Sequence, residues 1–127
     1  MTVTSDVLIV DDAATVRLYH GAILRDAGFD VVEAANGYEA LEAALERRFD
    51  VVLADVNMPR MDGYAFVSAL RRGGLNRSAP VVMISTESAT ADAEQAYAAG
   101  ANVYLHKPVA AGDLIGVALA LTGRTGS

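Results

Sequence analysis

At 127 residues the chain has room for one domain, given roughly 150 residues per domain. Its 53% hydrophobic and 20% charged residues match a folded protein rather than a disordered one. The absence of cysteine excludes disulfides, thiolate metal sites and cysteine nucleophiles, and the net charge of -6 opposes the basic face that phosphate backbones require. No apolar stretch approaches a membrane span, and residues 1–6 lack the basic start and apolar core of a signal peptide. A single monomeric, cytoplasmic domain over residues 1–127 is expected, with 123–127 as a loose tail and neither nucleic acid nor membrane as partner.

In chain order, residues 7–10 form the first apolar run. A helix with the stripe Val16, Tyr19, Ile23 and Ala27 follows and closes near Gly28. Residues 31–32 mark a second strand, and Asn36 with Glu39 three residues on reads as the cap of a second helix striped by Ala40, Leu41, Ala44 and Leu45. The third run, 51–54, precedes a helix capped at Asp62 with Phe66, Val67 and Leu70 inward. The fourth, 81–84, precedes an alanine-rich helix over 88–99, whose shallow stripe of Ala89, Ala93 and Ala96 predicts the loosest packing of the set. That helix closes on Gly100. Residues 103–105 are the last strand, before a helix striped by Leu114, Ile115, Ala118 and Leu119. Runs one, three and four show no polar alternation, as expected for strands covered on both faces. Five β-α units with right-handed crossovers give an α/β fold: a doubly wound five-stranded parallel sheet with helices on both faces, a three-layer sandwich.

Open α/β sheets place their site beyond the carboxyl ends of the strands. The residues there are Asp11 and Asp12, Asp55, Ser85 and Thr86, and Lys107, while the second strand ends in Ala34 and Ala35. Three crowded carboxylates either hold protons or share a cation. Oxygen donors without cysteine or a suitably placed histidine favour a hard ion, Mg²⁺ above all, which commonly meets a phosphate. An ammonium at Lys107 and a hydroxyl at Ser85 would complete a pocket for phosphoryl oxygens.

Asp11-Asp12, Asp55 with the run Asp55-Val56-Asn57-Met58-Pro59-Arg60-Met61-Asp62-Gly63, Ser85, and Lys107-Pro108 together resemble the receiver domains of two-component response regulators over about residues 5–121. The Asn-Met-Pro-x-Met-Asp-Gly segment is most similar to the single-domain chemotaxis regulators of the CheY type. The resemblance implies a flavodoxin-like strand order of 2-1-3-4-5, a cis Lys107-Pro108 bond, and a phosphoacceptor switch rather than an enzyme. It implies Asp55 as phosphoacceptor, with Mg²⁺ held by Asp12, Asp55, the Asn57 backbone carbonyl and, through water, Asp11. Ser85 and Lys107 would bind phosphoryl oxygens. Thr86, Tyr104 and His106 would join Ser85 at the switch, with Tyr104 as the ring that turns inward. A histidine kinase is the implied donor. A separate output protein, possibly the flagellar motor switch, is the implied reader, because the chain stops soon after Leu121.

Other readings of the same residues stand beside these. Asp11 can cap the first helix, Ser85 can serve as a turn hydroxyl, Tyr104 can be plain core, and His106 reads as an ordinary half-exposed strand residue. Strand alternation puts Tyr104 and His106 opposite Val103 and Leu105. Thr86 stands where the family usually has a smaller residue, whereas Asn57 and Glu87 match the chemotaxis pattern for dephosphorylation. The face made by helix four, strand five and helix five, with Thr90, Ala93, Glu94 and Val117, lacks the basic bulk expected for motor binding. A phosphate sink or relay carrier is therefore an alternative role. A Mg²⁺-dependent aspartyl-phosphate phosphatase is a third, opposed by Asn57 where such enzymes carry a proton-donating Asp.

Overall fold

Backbone and side chains were analysed in a computed structural model that describes residues 5–86 and 90–123. Glu87, Ser88, Ala89 and the tail beyond Gly123, all invoked above, lie outside the described residues. The strands are β1 (Asp6–Val10), β2 (Asp30–Ala34), β3 (Val51–Asp55), β4 (Val81–Ser85) and β5 (Val103–His106). They pair in parallel in the order β2-β1-β3-β4-β5. The helices are α1 (Ala14–Asp26), α2 (Gly37–Glu46), α3 (Gly63–Arg71), α4 (Thr90–Ala99) and α5 (Ala111–Thr122). No helix among the described residues is long and apolar enough to cross a membrane.

Because successive strand side chains point to opposite faces, the short apolar runs divide into two cores. Leu8, Val10, Val52, Ala54, Val81 and Met83 pack with Ala40, Ala44, Phe66, Val67, Leu70 and Ala96, so α2, α3 and α4 cover one face. Val7, Ile9, Val51, Leu53, Val82 and Ile84 pack with Leu24, Leu114 and Ala118, so α1 and α5 cover the other. Tyr104 packs against the first core, while Val103 and Leu105 pack against the second, as alternation requires. Every residue of β3 and β4 is buried.

Local chemistry sets the element ends. Asn36 Oδ1 accepts the Glu39 N–H at 2.9 Å, and the Glu39 carboxylate returns a bond to the Ala35 N–H at 3.1 Å, one residue before the cap. Asp62 Oδ1 accepts the Ala65 N–H at 2.8 Å, which starts α3. Gly28 and Gly100 take φ values of 95° and 117°, the left-handed conformation that closes α1 and α4. The Lys107-Pro108 peptide is cis.

Two expected helix faces are corrected. In α1 the buried residues are His20, Gly21 and Leu24, whereas Tyr19 is 56% exposed. Ile23 and Ala27 pack against the second core as expected, so the correction is confined to Tyr19, whose place in the inward row His20 takes. In α2, Leu45 is 76% exposed because Gly37, Ala40 and Ala44 already fill the close approach to the sheet. The α3 and α5 faces are as expected, and α4 buries only Ala96 among its residues, the loose packing that alanine implies.

Gly63 bears directly on the site. A Cβ there would overlap the Asp55 carbonyl oxygen and sit 2.9 Å from Val56 Cα, so α3 starts against the backbone of β3's last residues. The Gly63 N–H donates to the Val56 carbonyl at 2.8 Å, which seals that approach. Gly63→Ala is expected to destabilise the protein by about 3 kcal/mol, as overpacking against backbone does, read as a lower urea midpoint with unchanged slope.

Candidate functional site

The register brings the polar residues to one edge. Val10 pairs with Ala54, Asp55 with Ile84 and Ser85 with His106, so Asp11, Asp55, Ser85 and Lys107 emerge at the carboxyl ends of four neighbouring strands, three central and one, β5, at the edge. Carboxylate oxygens of Asp11, Asp12 and Asp55 lie within 4.8 Å of one another. Asp11 and Asp55 are 3% and 6% exposed, Asp12 is exposed, and Ser85 is fully buried. Lys107 Nζ reaches into the group and donates to Asp55 Oδ1 at 2.9 Å and to Asp11 Oδ2 at 3.1 Å.

The Asp55 pKa is raised to about 6, with burial the largest cause. The Lys107 hydrogen bond pulls it back, and the Asp11 and Asp12 charges push it further up. Burial works against the Lys107 charge, but its bonds and attraction to Asp55, then Asp11, prevail and raise its pKa. Three carboxylates against one ammonium leave two negative charges at a site built from oxygen donors. That donor set and charge fit a hard divalent cation such as Mg²⁺, with Asp12, Asp55 and Asp11 as the side chains to hold it. His20 lies buried near the group and its pKa is lowered, first by burial, then raised by Asp11 and lowered by Lys107. It belongs to no three-residue ligand cluster among the described residues, so the donor set stays all-oxygen.

The remaining expected residues take distinct positions. Asp11 does not cap α1 itself; its Oδ1 accepts the Ala13 N–H at 2.9 Å and so fixes the turn that leads into the helix. Asn57 is exposed in the connection two residues past Asp55, where Arg60 takes the left-handed conformation at φ 71°. Tyr104 is half-buried, and His106 is exposed with its ring Nε2 2.8 Å from the Thr86 carbonyl oxygen. That contact ties β5 to the loop after β4. Thr86 also lines an apolar groove of about 330 Å³ with Val16, Tyr19, His20, Lys107 and Val109, immediately beside the ammonium. Arg17 and Glu33, absent from the sequence reading, stand next to the site: Arg17 donates to the Asp11 backbone carbonyl at 2.7 Å and pairs with Glu33. No spacing rule links a helix residue to a strand residue across a loop, so only the fold displays them.

A family model for the response regulator receiver domain matches residues 7–118. The chain is 40% identical over 121 residues to the transcriptional regulatory protein PrrA of Mycobacterium tuberculosis, covering 95% of this chain and 51% of PrrA. It is 30% identical over 110 residues to the protein PilG of Pseudomonas aeruginosa, covering 87% and 82%. Several of the curated relatives that it matches are about twice its length. Among solved structures, the chemotaxis response regulator CheY4 of Vibrio cholerae superposes with a TM-score of 0.88 at 37% identity, covering 94% of this chain and 99% of that one. The receiver domain of the Pseudomonas aeruginosa sensor kinase PA1611, which has a magnesium ion coordinated in its active site cleft, superposes at 0.88 with 28% identity, covering 95% and 99%.

The raised Asp55 pKa has a stability consequence. Its folded value of about 6 exceeds the ordinary 3.8, so ionisation costs folding free energy fully above pH 6 and progressively less toward 3.8. Asp55→Asn is expected to stabilise the metal-free protein by about 2 kcal/mol at pH 8 and by less than about 1 kcal/mol at pH 4, read from urea unfolding at the two pH values.

Proposed function

The chain belongs to the response regulator receiver domain family, and from that premise we propose that it accepts a phosphoryl group from a histidine kinase on Asp55 in a Mg²⁺-dependent reaction. Response regulators take phosphate from histidine kinases, and receivers act as phosphoacceptor switches rather than turnover enzymes. The observation that carries the assignment is the Asp55 carboxylate, buried on the last residue of the central strand β3 with a lysine ammonium 2.9 Å away and two further carboxylates alongside.

In the proposed transfer an Asp55 carboxylate oxygen attacks phosphorus, the new O–P bond forms, and the P–N bond to the donor imidazole breaks. The bonding pair leaves with the imidazole nitrogen, and Asp55 becomes an acyl phosphate. Asp12, Asp55, the Asn57 backbone carbonyl and, through water, Asp11 would hold Mg²⁺, which would neutralise phosphoryl charge. Lys107 exchanges a carboxylate oxygen for a phosphoryl oxygen, so its ammonium remains paired throughout. Ser85 donates its hydroxyl to another phosphoryl oxygen from the end of β4, and Asn57 offers no general acid that would drive turnover.

Transmission follows from which contacts the phosphoryl draws in. Ser85 and Lys107 grip it in one state only, and a partner preferring that state gains affinity. Thr86, Tyr104 and His106 carry the change along the β4 and β5 ends toward the face of α4, β5 and α5, with Tyr104 turning toward the core as Ser85 moves. For the output we propose phosphorylation-dependent binding of a partner protein in the cytoplasm, and the likeness to the chemotaxis response regulator CheY4 supports a role in chemotaxis. The small or acidic residues of the α4 face, with Thr90 and Glu94 exposed and Ala93 half-buried, support a phosphate sink or relay carrier instead, although Tyr97 on the same row is 50% exposed and offers an aromatic contact.

Incubation with Mg²⁺ and acetyl phosphate is expected to add one phosphoryl group, located at Asp55 by tandem mass spectrometry and missing from Asp55→Asn. Modification that survives in Asp55→Asn would sink the assignment. Lys107→Ala is expected to become phosphorylated yet show at least a fivefold smaller population of the activated state, measured by ¹H–¹⁵N NMR shifts around Tyr104.

A further inference from the structure

Asp12 is the exposed member of the acidic group, and among the described residues its side chain makes no hydrogen bond or ion pair. Its placement comes from the backbone on either side. On one side, the Asp11 N–H donates to the Ala34 carbonyl at 3.1 Å, and the Asp11 carbonyl, the oxygen of the peptide that joins Asp11 to Asp12, accepts Arg17 Nη1 at 2.7 Å. On the other, the Ala13 N–H is held by Asp11 Oδ1 at 2.9 Å. Asp12 thus sits between two anchored groups, and one anchor is a guanidinium.

Arg17 is itself fixed. Its Nε lies 3.3 Å from Glu33 Oε1 on β2, and Glu33 Oε2 takes Arg25 Nη2 at 3.1 Å. The Arg17 and Glu33 side chains are each 17% exposed, so the fork works in partial shelter from water. No side chain caps α1 at Ala13 and the first turn carries no acid, so the loop depends on this brace and on Asp11 for its shape.

We infer that Arg17 is a positioning residue for the cation site: its guanidinium orients the Asp11–Asp12 peptide plane and so aims the Asp12 carboxylate at the ion. This rests on the Mg²⁺-dependent phosphoacceptor reading. Charge alone predicts the opposite sign, because a cation beside a cation site weakens binding, and that difference makes the role testable.

The experiment is a MgCl₂ titration of the whole chain followed by ¹H–¹⁵N NMR, with thermal unfolding in parallel. If the wild-type chain binds no Mg²⁺, the phosphoacceptor reading itself fails. With wild-type binding in hand, Arg17→Met, which keeps the stem and removes the fork, is expected to weaken Mg²⁺ about tenfold, as loss of an outer supporting group does. Arg17→Lys keeps the charge and one donor and is expected to recover part of that loss. Tighter binding by Arg17→Met, or an unchanged affinity with only a lower melting temperature, overturns the inference. Should Arg17→Met fail to fold, Arg17→Lys decides alone: about threefold weaker binding supports the role, and wild-type affinity overturns it.

Discussion

Two aspartates, Asp11 and Asp55, face each other almost without solvent, and the ammonium of Lys107 bridges them at 3.1 and 2.9 Å. Taking such charges out of water is costly, and the bridge returns only part of that cost. Asp55 shows the shortfall as a raised pKa, driven first by burial and then by its acidic neighbours. In the proposed function that unbalanced negative charge is what would draw a cation to the site, and the cation and the ammonium together would neutralise an incoming phosphoryl group. A fully paired site would be more stable and would have no reason to bind either one.

The fold exists to hold that imbalance in place. Parallel pairing puts four polar residues at neighbouring strand ends, and the glycine at the start of α3 lets that helix press on the Asp55 backbone without displacing it. The Asp11 side chain serves three groups at once: the α1 entrance, Lys107 and the acidic cluster. Its two oxygens therefore link helix geometry to site charge. The contact between His106 and the Thr86 carbonyl couples the far strand to the loop beside the phosphoryl position.

Much of this could be read from residue order. The unalternating runs 7–10, 51–54 and 81–84 are central strands buried on both faces, and Asp55 and Lys107 stand at strand ends, as the motif spacing implies. Misreadings arose where a side chain's environment depends on distant partners. His20 is buried in α1 although a histidine is usually discounted as core, and Leu45 points to solvent although its spacing suits the core. The Arg17–Glu33–Arg25 cluster was missed because it joins a helix to a strand whose own pattern reads as a short, partly polar run. Asp11 shapes the turn before α1 rather than capping the helix, and that bond is compatible with a place in the acidic group.

The most direct test of the central claim is a crystal structure of the chain with Mg²⁺ and fluoroberyllate, a mimic of an aspartyl phosphate. Beryllium is expected to be bonded to an Asp55 carboxylate oxygen, with the ion held by Asp12 and Asp55 and Lys107 Nζ moved from its carboxylate bridge onto a fluorine. Fluoroberyllate bound elsewhere, or Lys107 still bridging Asp11 and Asp55 beside an unmodified carboxylate, would contradict that claim.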